Sequence, residues 1–251
     1  MIKKYYRDLI TQTDYLINNY GEFKNTNLKN IRKKFVPELN PQLIDYDEEL
    51  FKRHFPNDKN IDFKKLKISN IGKYSMDKPD KAQILSDLIK ENMGTDDLVI
   101  TDANSNMGGN VINFAKNFKF VNSVEILPFH CDILRNNVGV YDLLDKVNIN
   151  CADYLDIMHD LKQDVIFFDP PWGGPDYKKE KNLNLYLDNI NIVDIINELY
   201  DYAKMIVLRI PRNFNIVDLL RRVEYTNVNI YKVYVQPDVK IISSYILFLK
   251  K

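Results

Sequence analysis

Cysteine, histidine, glycine and tryptophan are all scarce in this chain, and each scarcity removes a class of function. Two cysteines, Cys131 and Cys151, in 251 residues cannot build a disulfide framework or a cysteine-based metal site, so reduced, largely buried thiols are expected. The three histidines, His54, His130 and His159, show no metal-ligand spacing. They are expected at the surface or at caps, and no metal is expected. Thirty-five basic residues balance thirty-five acidic ones, which removes the field that a long polyanion such as duplex DNA would need. A nucleic-acid substrate would therefore be small or gripped locally. The amino terminus, MIKKYYRDLITQTDYL, lacks the apolar stretch of a signal peptide, and no window approaches a membrane span. The expectation is a soluble intracellular protein, cytoplasmic or nuclear, not secreted and with no membrane partner. With only eight glycines, no G-x-G-x-x-G occurs, which excludes the dinucleotide fingerprint.

What the chain does have is a rhythm that changes partway along. The first seventy or so residues carry helix-like pieces, YYRDLITQTDYLINNY and DEELFKRHF, separated by Pro37, Pro41 and Pro56. This reads as a helical extension over residues 1–74. A core over residues 75–251 follows. Asp77 and Pro79 mark a helix start and Gly94 its stop. Beyond it come seven strand candidates, DLVITDA, KFVNSVEI, KVNIN, DVIFFD, AKMIVLRI, VNIYKVYV and KIISSYILFL, the first five alternating with helical segments. Buried strands separated by helices predict an α/β fold with a mostly parallel seven-stranded sheet. The last two, joined by QPD, predict a C-terminal antiparallel hairpin.

In such folds ligands bind at the carboxyl ends of the strands, and acids stand there in succession. Asp102 lies in TDANSNMGGN, where Gly108 and Gly109 permit a sharp turn and close approach to a ligand. Asn106 occupies a position suited to glycine, and Asn tolerates positive φ. Glu125 ends the second strand, and Asp153 follows the third. Any one acid could equally be a turn residue or helix cap. Three after three successive strands, with no phosphate cradle, suit S-adenosylmethionine: acceptors for its ribose, its adenine and its ammonium.

After the fourth strand comes DPPWGGPDY, Asp169 to Tyr177, containing the only tryptophan. Pro170 and Pro171 have fixed φ and no amide hydrogen, so the loop is stiff and offers acceptors without competing donors. An exocyclic amine is a poor nucleophile that must be aimed and held by acceptors. Asp169 and the Pro170 carbonyl can accept from it, and Trp172 can stack on the base.

D/N/S-P-P-Y/F/W resembles the motif of amino-group methyltransferases with the Rossmann-like class I fold, and PPWGGPDY resembles trimethylguanosine synthase, which methylates the 2-amino group of a 7-methylguanosine cap. DANSNMGGN resembles that family's cofactor motif, LRNN (Leu134 to Asn137) its second helix, and IPRNFNI its segment after the fifth strand. The resemblance implies S-adenosylmethionine as cofactor, contacted by Asp102, Asn104, Gly108, Gly109, Glu125, Ile126, Asp153, Tyr154 and Asp169. It implies Asp169, Pro170 and Trp172 as the catalytic group. Ser75, Trp172, Tyr177 and Arg212 would bind a 7-methylguanosine-capped RNA, Tyr177 and Arg212 at its phosphates. A monomer is expected. Asp169 stands where the trimethylguanosine enzymes carry Ser, and Asn106 where they carry glycine.

A 7-methylated guanine is cationic, and a cation over an indole face gains on the order of a kcal/mol when desolvated, which is a mechanism for cap specificity. Lys178, Lys179 and Lys181 read as a solvated loop or a local phosphate cradle, and Arg209 is expected at phosphate as well. Two alternatives remain at this point. One is an adenine- or guanine-directed amino methyltransferase of DNA or another RNA, for which Asp169 is an equally good acceptor. The other is a non-catalytic cap-binding module that keeps Trp172.

Overall fold

The computed structural model describes residues 6–12, 15, 40–235 and 240–251. Strand β1 (Tyr6–Thr11) opens the described chain. Over YYRDLITQTDYLINNY, expected to be helical, Tyr6–Thr11 is a strand instead, Gln12 and Tyr15 are helical, and the rest lies outside the described residues. The physical reason is tertiary: an edge partner supplies the backbone hydrogen bonds that a short, weakly periodic segment cannot make for itself.

The chain divides into two compact units, one of Glu38–Phe167 and one of Met1–Pro37 with Phe168–Lys251. In the first, helix α1 (Glu48–His54) matches the expected DEELFKRHF helix and is capped by Asp47, whose carboxylate accepts from the Leu50 amide. Helix α2 (Pro79–Met93) starts with Pro at its first turn and stops at Gly94, φ 72°, as its start and stop signals require. Then strands and helices alternate: β2 (Val99–Asp102), α3 (Gly109–Asn117), β3 (Phe120–Glu125), α4 (Pro128–Val140), β4 (Val147–Cys151), α5 (Tyr154–Ile157) and β5 (Val165–Phe168).

Within this unit the strand order is β5-β2-β3-β4, and each neighbouring pair is parallel. Every residue of β5 is buried, which is why DVIFF reads as a continuous apolar run rather than an alternation. Phe167 packs edge-on against Phe114 of α3 at 5.7 Å between centroids. Each such ring contributes about 1.5–3 kcal/mol by burial. The described residues 40–74 pack in this same unit. Phe51, Phe55 and Ile68 are buried, and the Tyr141 hydroxyl donates to the Pro56 carbonyl at 2.6 Å.

The second unit contains the small hairpin β6 (Tyr186–Leu187) and β7 (Ile190–Asn191), helix α6 (Ile192–Glu198), β8 (Met205–Pro211), α7 (Ile216–Arg222), β9 (Asn227–Tyr234) and β10 (Ile242–Lys250). Its larger sheet runs β1-β9-β10-β8, antiparallel throughout. The expected C-terminal hairpin is β9–β10. All seven expected strands are present, and β1 on the outer side of β9 is a further one that the sequence reading did not foresee.

The two cysteines are also corrected. Cys131 on α4 and Cys151 at the end of β4 are disulfide-bonded, with Cα atoms 5.8 Å apart, within the span a disulfide needs. The reduced-thiol expectation rested on their number alone. Packing of α4 against β4 brings residues twenty apart in sequence side by side. Among the described residues, no helix is long and apolar enough to cross a membrane, and no group of three His, Cys, Asp or Glu is placed to hold a metal ion.

Candidate active site

In the unit Glu38–Phe167, parallel registration sets the acids along one edge of the sheet. Asp102 is registered with Ser123, and Glu125, two residues further along β3, is registered with Cys151. Asp153 follows two residues beyond that. Each also does local work. Asp102 Oδ1 accepts from the Asn104 amide at 3.2 Å, and Asp153 caps α5 through the Leu155 amide at 3.0 Å. The cap reading of Asp153 is thus realised, although one such bond does not exhaust a carboxylate's acceptor capacity.

Glu125 is the most deeply committed of the three. At 8% exposure, Oε2 accepts from the Asn106 amide at 2.8 Å and Oε1 from the Leu127 amide at 2.9 Å. Burial pushes its carboxyl above the usual range, while the backbone donors pull the other way. Burial wins because both oxygens are taken out of water and no positive side chain compensates within that balance.

The turn after β2 needs unusual backbone. Asn106 has φ 50° and Gly108 φ 93°, as the residue types predict. Gly108 starts α3, and a Cβ there would meet Leu134 Cδ1 at 2.7 Å. Gly109 serves close approach instead: its Cβ would lie 3.3 Å from Met76 Cε. Three amide oxygens here, of Asn104 and Asn106 in this loop and of Asn110 in the first turn of α3, are buried with no hydrogen-bond partner. Leaving such acceptors unmet costs about 1–3 kcal/mol each, so a loop rich in them suits a ligand that brings donors.

A buried network missed in the sequence fastens the segment before the core onto this loop. The Gly72 amide donates to Ser69 Oγ at 2.8 Å, and Ser69 Oγ lies 2.9 Å from His130 Nε2. Asn106 Nδ2 donates to the Gly72 carbonyl at 3.1 Å. Asn137, wholly buried, donates to the carbonyls of Lys67 and Met107 at 2.9 and 3.0 Å. His130 is therefore neither surface nor cap as expected. It is buried, and burial lowers its pKa. Ser75 is exposed just beyond, its amide donating to the Gly72 carbonyl at 3.0 Å. Ile126 is 60% exposed, whereas the Tyr154 ring is buried with its hydroxyl 3.3 Å from Gln163 Oε1.

In the unit holding Phe168–Lys251, Asp169 follows β5 directly, half-buried, and Pro170 is buried behind it. Trp172 is half-buried, with the Tyr177 ring edge-on at 5.3 Å and 77°. Its indole Nε1 is buried without an acceptor. Gly173 and Gly174 have φ 94° and 71°, and a Cβ on Gly173 would meet nothing within 4 Å. The backbone turn, rather than crowding, requires glycine there.

The loop is held from behind by Asn213. Its Nδ2 donates to the carbonyls of Tyr177 and Glu180 at 2.7 and 2.8 Å, so IPRNFNI and DPPWGGPDY are fastened together. Arg212 is exposed. Lys179 pairs with Asp176 at 2.6 Å on an exposed turn, and Lys178 lies over the Tyr177 ring at 5.8 Å. Arg209, expected at phosphate, is instead buried at 6% exposure with its NH1 group 3.3 Å from Asp169 Oδ2.

A family model described as RNA cap guanine-N2 methyltransferase matches residues 98–248. An uncharacterized protein of Acanthamoeba polyphaga mimivirus is 40% identical over 122 residues, covering 47% of this chain and 48% of that protein. Trimethylguanosine synthase of Schizosaccharomyces pombe is 30% identical over 128 residues, covering 48% of this chain and 53% of that protein. The chain thus spans about half the length of the curated relatives it matches. The solved T. thermophilus 16S rRNA N2 methyltransferase, in complex with AdoMet and guanosine, superimposes with a TM-score of 0.51 at 15% identity over 68% of this chain and 43% of that one. That likeness shows the fold, a Rossmann-like α/β architecture. The family match reaches from β2 into β10 and takes in the acids, the glycine turn and the DPPWGGPDY loop, so the chain belongs to the RNA cap guanine-N2 methyltransferase family.

Proposed function

We propose that this chain methylates the 2-amino group of a 7-methylguanosine RNA cap, with S-adenosylmethionine as methyl donor. The observation that carries the reading is the loop after β5: a carboxylate, two prolines and the sole tryptophan, on a turn that two positive-φ glycines shape and Asn213 holds. An amine acceptor needs those parts together, and a simple turn needs none of them in that order.

The residues at the sheet edge fit the cofactor by the chemistry of their donor set. Asp102, Glu125 and Asp153 would accept from its ammonium, ribose and adenine amine. Asn104 brings an unmet amide oxygen to the same loop. Gly108 and Gly109 let the backbone approach, Ile126 offers an exposed apolar side chain to the adenine, and Tyr154 would contribute main chain. The cofactor supplies a sulfonium-bound methyl group. Within the unit Glu38–Phe167, Phe167 of β5 is registered with Asp102 of β2.

Asp169 and the Pro170 carbonyl accept from the two N–H groups of the guanine amine and leave its lone pair aimed outward. Because Pro170 has no N–H, nothing in that dipeptide competes for the lone pair. Trp172 stacks on the base, with Tyr177 buttressing the indole edge and, with exposed Arg212, facing the cap phosphates. Ser75 is assigned to substrate binding as well. The S–CH3 bond breaks as the N–CH3 bond forms, and the proton the amine then releases passes to Asp169 and on to solvent, so no further group is asked to do chemistry and a monomer suffices.

Because Trp172 is the only tryptophan, its fluorescence reports this site alone. Titration with a 7-methylguanosine cap analogue should quench it, and an unmethylated guanosine cap should quench it at least about tenfold more weakly, the factor that 1.4 kcal/mol of cation–π attraction supplies. Equal quenching by both would remove the basis for cap recognition.

A further inference from the structure

The strand β8 is buried along its whole length, yet it carries a guanidinium. Arg209 is 6% exposed, and arginine is almost never so buried unless paired. Its NH1 group lies 3.3 Å from Asp169 Oδ2, the two side chains being 7% and 20% exposed. This partner is the acid of the DPPWGGPDY loop, at a position where the resemblance to the trimethylguanosine enzymes implies a neutral Ser.

We infer that Arg209 is a positioning residue for the acceptor amine, keeping Asp169 ionised and fixing its orientation. The inference rests on the cap-methyltransferase reading above and goes beyond it. A half-buried carboxylate drifts toward its protonated form, because burial disfavours charge. Protonated, Asp169 would present an O–H to the amine and compete for the lone pair that must attack. An adjacent guanidinium favours the charged form and so keeps Asp169 an acceptor. An ionised carboxylate has about four acceptor sites, so one bond to Arg209 is compatible with accepting an amine N–H. Asp169 and Arg209 then work as one unit: the carboxylate accepts from the amine, and the buried guanidinium keeps it charged and oriented.

The test is a rescue experiment with labelled S-adenosylmethionine and a 7-methylguanosine cap dinucleotide. Arg209→Met and Arg209→Gln should each lower kcat about 10- to 100-fold, the range a misplaced reacting group produces. KM and cofactor affinity should stay within about threefold, since Arg209 touches neither ligand in this assignment. Arg209→Lys, keeping the charge, should retain most of kcat. Adding Asp169→Ser to Arg209→Met should raise kcat well above that of the single variant, because a neutral acceptor needs no counter-charge. Melting curves establish which variants are folded, and the Gln variant carries the test if the Met variant is not. Wild-type kcat in a folded Arg209→Gln or Arg209→Met protein overturns the inference, and so does a double variant no more active than the single one. An inactive wild type would instead overturn the cap reading on which it rests.

Discussion

Replacing Glu125 by Gln removes one oxygen from a position where both are used. In the wild type Oε2 accepts from Asn106 and Oε1 from Leu127, at 2.8 and 2.9 Å. The amide keeps one acceptor, and whichever backbone N–H then faces its NH2 group is left without a bond. A hydrogen bond to a charged group is worth about 1.5–3 kcal/mol. Relief of the buried charge offsets part of this, so a net cost of about 1–2 kcal/mol is expected. Because the lost bond lies between the cofactor loop and the end of β3, the cost should fall on cofactor binding as well as on folding. A 1.4 kcal/mol loss is tenfold, so S-adenosylmethionine affinity measured by calorimetry should weaken about 5- to 30-fold.

The pH dependence adds a sign test. Burial raises the Glu125 pKa, so the folded protein favours the protonated acid. This contribution to stability is fully present below the unfolded pKa and is lost as pH rises through the raised folded value. If Glu125 holds the cofactor as proposed, cofactor affinity runs the opposite way: it falls as pH drops through the same raised value, above the ordinary figure of about 4.3. Glu125→Gln should abolish both slopes. An affinity within twofold of wild type, with the wild-type pH slope retained, would refute the assignment of Glu125 to the cofactor.

Gly72→Ala places a Cβ 2.5 Å from Met107 Cε, 2.7 Å from Ser69 Oγ and 2.8 Å from Asn106 Oδ1; overpacking of about 1–3 kcal/mol should lower the melting temperature by about 2–10 °C. Burial lowers the His130 pKa, so its neutral form contributes stability above the ordinary value of about 6.5, and that stability is lost as pH falls through the folded value. Melting temperature should therefore drop on acidification from neutral pH, and His130→Gln should flatten that dependence. Asn213→Ala strips the donors from the carbonyls of Tyr177 and Glu180, and kcat/KM for capped RNA should fall about tenfold or more in a protein that stays folded.

The alternation of strands and helices from β2 onward was legible at β5, a continuous apolar run, and at α2, which stops at Gly94. The glycine turn was legible for a steric reason: positive φ at Asn106 and Gly108 restricts which residues can stand there. What the sequence hid depends on partners distant in the chain. β1 is a strand because β9 pairs with it. Cys131 and Cys151 bond because α4 packs beside β4. His130 is buried because Ser69 needs a partner, and Asn213 matters because it reaches back more than thirty residues to Tyr177. Arg209 was misread for the same reason: an arginine after an apolar run looks like a phosphate ligand until the carboxylate beside it is located.

The central claim is that one tryptophan and one carboxylate on a proline-stiffened loop select and aim the amine of a methylated cap. The most direct test is transfer of a labelled methyl group from S-adenosylmethionine to 7-methylguanosine and to unmethylated guanosine cap dinucleotides, with Trp172→Ala and Asp169→Ala alongside. The account predicts product only from the 7-methylated cap, on the 2-amino group, and loss of roughly 100-fold or more in each variant. Transfer to both caps alike, or undiminished transfer by Trp172→Ala, would contradict it.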